Sequence, residues 1–80
     1  NIKIFPNPTS DFIAIQIGGL NNQDLDIKLF DIKGKLLRES KINKGQTISY
    51  FDIQTLYSGT YIVKLFAKGL SISQKIIIEK

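Results

Sequence analysis

The seven carboxylates of this 80-residue chain, Asp11, Asp24, Asp26, Asp31, Glu39, Asp52 and Glu79, are its main candidates for chemistry. Histidine and cysteine are absent. The usual general base, the commonest metal ligand and any thiolate nucleophile are therefore missing. Acid–base catalysis would need two carboxylates converging in one cleft. The spacing argues for no such pair, because most of the seven fall in turn-like stretches or at outward strand positions, where capping and solvation account for them. Asn21-Asn22-Gln23-Asp24-Leu25-Asp26 carries calcium-like oxygen donors but lacks the ordered spacing and bidentate glutamate of a dedicated loop. It reads as a solvated loop. Tyr50, Tyr57 and Tyr61, with five phenylalanines, suggest a sugar-stacking surface, yet tryptophan is absent and Tyr61 has a structural use described below. No enzyme and no cofactor are expected.

Composition describes what must carry these groups. The hydrophobic fraction of 42% and charged fraction of 22% are those of a folded chain, and 80 residues make one small domain. Isoleucine dominates the apolar set, and β-branched residues are stiff at χ1 and suit strands. The net charge is +4, but the lysines are scattered and form no nucleic-acid patch. Apolar runs are a few residues long, so stable membrane insertion is not expected. Methionine is absent even from position 1, and the chain reads as a piece of a longer protein with any signal peptide upstream. Composition and periodicity do not say what the domain does.

The chain reads as strands separated by turns. Ile2 to Phe5 is a short edge strand stopped by Pro6-Asn7-Pro8, since proline lacks an N–H and drives the preceding residue into extended geometry. Thr9, Ser10 and Asp11 offer side-chain oxygens to donors left open by that bend. Phe12 to Ile17 follows, with Ile13, Ile15 and Ile17 on one face. Gly18-Gly19 and Asn21-Asn22 carry turn chemistry. In Asp24 to Asp31, Leu25, Ile27 and Leu29 point inward. Asp31-Ile32-Lys33-Gly34-Lys35 predicts a hairpin with a type I turn and a glycine bulge, leading to Leu36–Ser40. Asn43-Lys44-Gly45 leads into Thr47 to Phe51. Asp52 to Leu56 reads as one turn capped by Asp52, with Ile53 and Leu56 plugging the core.

Leu56-Tyr57-Ser58-Gly59-Thr60-Tyr61 then predicts a tyrosine corner. It opens a strand with Tyr61, Val63, Leu65 and Ala67 on one face. Lys68-Gly69-Leu70-Ser71 turns the chain into a last strand from Ile72 to Glu79. The expected fold is all-β: a seven-stranded antiparallel immunoglobulin-like β-sandwich of Greek-key type, with a small barrel as the alternative architecture. The pattern does not itself give the strand order.

Three blocks in this order carry a resemblance: Ile4-Phe5-Pro6-Asn7-Pro8-Thr9-Ser10-Asp11-Phe12, Ile27 to Leu36, and Leu56 to Lys64 followed by Lys75-Ile76-Ile77-Ile78-Glu79-Lys80. Singly each is common; jointly they resemble the type A C-terminal sorting domain of the type IX (Por) secretion system of Bacteroidetes, over essentially the whole chain. Thr60 stands where the family often has valine, and Glu79 interrupts a usually lysine-rich ending. The resemblance implies that residues 1–80 are a single non-catalytic C-terminal sorting domain from a larger secreted protein. Its partners would be the outer-membrane type IX translocon, sortase components that often cleave it off, and the upstream cargo of the same chain. The cargo would cross the periplasm and end at the cell surface or outside the cell.

Family-motif residues expected to be structural are Pro6, Asn7, Pro8, Asp31, Gly34, Leu56, Gly59, Tyr61 and Lys64. The expected recognition surface is Lys75, Ile76, Ile77, Ile78, Glu79 and Lys80, a terminal strand able to pair with a receptor strand while its lysines restrain self-association. The rival function is an appended spacer, adhesion or carbohydrate-binding module.

Overall fold

The computed structural model describes residues 2–18 and 23–80. The Gly18-Gly19 and Asn21-Asn22 loop therefore lies largely outside the described residues. Alternation of isoleucine and leucine with polar residues makes strands here, because a period of two sends every second side chain to the same face. The strands are β1 (Ile2–Phe5), β2 (Phe12–Ile17), β3 (Leu25–Asp31), β4 (Leu36–Ile42), β5 (Ile48–Asp52), β6 (Gly59–Ala67) and β7 (Leu70–Ile78). The described residues are all-β and form two antiparallel sheets, ordered β1-β2-β5 and β4-β3-β6-β7. β1 is an edge strand, as the prolines after it require. β4 and β5 run further at their C-terminal ends than the sequence suggests. β7 starts two residues early because Lys68 and Gly69 alone make its turn, with Gly69 at φ 76°.

One core lies between the sheets. The three-stranded sheet contributes Ile4, Ile13, Ile15 and Phe51; the four-stranded sheet contributes Leu25, Ile27, Leu29, Ile42, Tyr61, Val63, Leu65, Ile76 and Ile78. Burying each such side chain is worth about 1.5–3 kcal/mol, so most of the stability lives on this interface. Ser40 on β4 and Ser49 on β5 share a hydrogen bond of 2.6 Å between hydroxyls, which gives the buried Ser49 a half-buried partner where the two sheets meet.

The outer face of the four-stranded sheet solves a charge problem. Lys28 and Lys64 are directly opposite on β3 and β6, an unfavourable cross-strand pairing. Each ammonium instead sits over the diagonal ring on the other strand: Lys28 Nζ is 5.8 Å from the Phe66 centroid, and Lys64 Nζ is 5.2 Å from that of Phe30. Lys64, marked by the resemblance, therefore works on the outer face and does not contribute to the core.

Candidate functional site: the end where the sequence blocks meet

Strand register brings the resembling blocks to one end of the molecule. Asp31 pairs with Tyr61, Tyr61 with Ile76, and Phe12 with Asp52. The proline bend, the Asp31–Lys35 turn, the Asp52–Ser58 connection and the chain's last residues thus share that end.

Tyr61 forms the predicted corner. Its ring lies in the core and its hydroxyl donates to the Tyr57 carbonyl at 2.7 Å. Gly59 comes before it, and the Tyr61 ring passes 3.8 Å from where a Cβ at Gly59 would stand. The preceding connection is also as read. Asp52 Oδ1 accepts from the Gln54 N–H at 3.0 Å, the Leu56 N–H donates to the Ile53 carbonyl at 3.0 Å, and Ile53 is fully buried with Leu56 packed against the core. The Asp31 turn matches as well. The Gly34 N–H donates to the Asp31 carbonyl at 3.1 Å, Gly34 has φ 91°, and Asp31 Oδ1 accepts from the Lys33 and Lys35 N–H groups, each at 2.9 Å. An L-residue disfavours that φ, so glycine is the natural occupant.

The proline block works differently from the sequence reading. Pro6 and Pro8 both follow cis peptide bonds. Asn7 supplies an oxygen to a distant backbone donor: its Oδ1 accepts from the Ile77 N–H at 2.9 Å. The Thr9 hydroxyl acts as a donor, Oγ1 donating to the Phe12 carbonyl. The Thr9 backbone makes a parallel bridge to Ile78, with its N–H on the Ile77 carbonyl at 3.0 Å and its carbonyl receiving the Glu79 N–H at 2.7 Å. The segment around the prolines is a clasp laid along the last strand.

That clasp defines the state of Lys75 to Lys80. β7 is an edge strand, with Ile76 and Ile78 in the core and Lys75, Ile77 and Glu79 facing outward. The edge-facing backbone groups of Ile77 and Glu79 are spent on Asn7 and Thr9. Lys80 is tied down too: its Nζ donates to the carbonyls of Ile53 at 3.0 Å and Gln54 at 2.7 Å, and its N–H donates to Ser58 Oγ at 3.0 Å. Arg38, which the sequence did not single out, closes the same end from β4. Its guanidinium donates to Thr55 Oγ1 at 2.7 Å and to the carbonyls of Leu37 and Asp52.

The other candidate chemistry stays dispersed. Asp24 Oδ1 accepts from the Lys44 N–H at 2.8 Å, while Asn21 and Asn22 lie outside the described residues. Tyr57 is 87% exposed. Tyr50 meets Phe12 edge to face at an interplanar angle of 63°, so the two rings form a corner, with no common plane for stacking. Among the described residues no group of three or more His, Cys, Asp or Glu side chains could hold a metal ion, and no helix is long and apolar enough to cross a membrane.

An endo-acting ulvan lyase from Formosa agariphila is 28% identical over 80 residues, which is all of this chain and 15% of that enzyme; the match is confined to a short part of a much larger protein. A family model described as the secretion system C-terminal sorting domain matches residues 3–79. The chain belongs to that family, whose members are non-catalytic type IX secretion sorting signals carried at the C-terminus of cargo proteins.

Proposed function

We propose that the folded domain, presented as a rigid body, is what the outer-membrane translocon recognises, and that sortase components often remove it as cargo is fixed to the surface. The upstream cargo would travel through the periplasm to the cell surface or medium. The observation that carries this reading is the meeting of the family blocks at one end, where the proline clasp locks the last strand. An immunoglobulin-like Greek key suits the same reading. Sheet orders of β1-β2-β5 and β4-β3-β6-β7, with the tyrosine corner at the start of β6, support it.

Within this reading, Lys75, Ile77 and Glu79 offer outward side chains to the translocon, while Ile76, Ile78 and Lys80 hold the strand in place. A reporter fused ahead of the domain in a secretion-competent host tests it. Deleting Ile76 to Lys80 abolishes export, and normal secretion of that truncation would sink the assignment. Because the deletion also removes two core isoleucines, Lys75→Glu with Ile77→Ser serves as the partner variant. It leaves the core intact and lowers export if the outward side chains are read.

A further inference from the structure

β7 is one strand with two unlike halves. Its even-numbered residues point inward, yet Ile76 and Ile78 are 0% and 1% exposed while Leu70 and Ile72 are half-buried. Residue type does not explain this, since Ile72 and Ile76 are identical, lie on the same face and pair with the same strand, β6. One thing that differs is the neighbour beyond the edge. Asn7 and Thr9 lie along Ile77 to Glu79. Backbone groups alternate sides along a strand, so those of Ser71, Ser73 and Lys75 face the same edge as Ile77 and Glu79. Among the described residues no strand pairs with them there.

Charge adds a second constraint. On the outer face this open half carries Lys75, with Lys64 opposite Ser73 on the neighbouring strand. An incoming strand would therefore be favoured if it placed an acidic residue outward and apolar residues inward, over Leu70 and Ile72. Serines at 71 and 73 leave the edge sterically open to such a partner, while Lys75 discourages indiscriminate pairing.

We propose that the Ser71–Lys75 edge is the docking site for an extended segment of the export machinery. This segment would add one strand to the four-stranded sheet, with apolar side chains inward and at least one carboxylate outward. The proposal rests on the sorting function and moves the pairing edge away from Ile77–Glu79, which the clasp already occupies.

Amide exchange of the purified domain tests the open edge without any partner. Ser71, Ser73 and Lys75 are expected to exchange at least tenfold faster than Ile77 and Glu79. Equal protection would overturn the proposal, as would protection that grows with protein concentration and assigns the edge to a second copy. Export of a fused reporter tests the docking. Ser73→Pro removes an outward N–H at an edge position where proline is tolerated, so the unfolding midpoint should hold while export falls at least tenfold. If that variant does not fold, Ser71→Asp with Lys75→Glu reverses the charge of the edge and leaves its backbone alone; the same loss of export is expected. Wild-type export by whichever variant folds overturns the docking edge. Failure of the unmodified fusion to leave the periplasm instead overturns the sorting function beneath it.

Discussion

The two ends of this sandwich are closed by different means. At the end carrying Tyr61, residues distant in sequence are tied together: Asn7 to Ile77, Thr9 to Ile77 and Glu79, Lys80 to Ile53 and Gln54, and Arg38 to Thr55. The opposite end relies more on local turns. Among the described residues, the Gln46 N–H donates to the Asn43 carbonyl at 2.8 Å, and Lys68 with Gly69 reverses the chain in two residues, with Ile17 to Thr47 and Lys44 to Asp24 as longer ties. The family's blocks are concentrated at the first end. A generic sandwich could be closed by turns alone, so the added ties hold one particular end, and one strand, in a fixed shape.

The most damaging way to break this contrast is at the plug of the tied end. Ile53→Ala removes a fully buried side chain and should cost about 2–5 kcal/mol. That is a large part of what a small domain has. A urea-unfolding free energy lowered by less than a quarter of that would mean the connection does not fill the core. Next come Gly34→Ala and Gly69→Ala, one at each end, with φ of 91° and 76° and nothing within 4 Å of an added Cβ. Each should cost about 1–2 kcal/mol from backbone conformation alone, so equal midpoint shifts would show that turn chemistry contributes alike at both ends.

Tyr61→Phe keeps the ring and loses the bond to Tyr57, for about 1 kcal/mol. Unchanged stability with blocked export would make that tyrosine a contact and overturn the corner. The smallest effect is expected at the turn-closed end, where Asp24→Ala removes an exposed acceptor from the Lys44 N–H. It should shift stability by under about 0.5 kcal/mol and be visible mainly as faster exchange of that amide.

What could be read in advance divides along the same line. Strand positions were legible because alternation fixes which side chains can share a face: Ile13 with Ile15, and Leu25 with Ile27 and Leu29. The Asp31 turn, the Asp52 cap and the tyrosine corner were legible because donor and acceptor lie two to four residues apart. The clasp was not. Asn7 finds Ile77 across most of the chain, and an asparagine between prolines looks the same whether it caps its own bend or a distant strand. Ser40 with Ser49, and Arg38 with Thr55, were hidden for the same reason, since common polar residues announce no partner. The blocks of the candidate site were visible singly; their meeting at one end was a property of register.

The bridge between Thr9 and Ile78 has a consequence for how the domain comes into being. It joins nearly the first described strand to the last, and the core needs Ile76 and Ile78 from the same late segment. A growing or clipped polypeptide lacking those residues leaves Thr9 without its backbone partner and the core open on one side. Closing so long a loop is an entropic cost met only when the late contacts arrive. The topology therefore makes closure of the sandwich conditional on the last strand: a chain missing it cannot complete either the Thr9 bridge or the core.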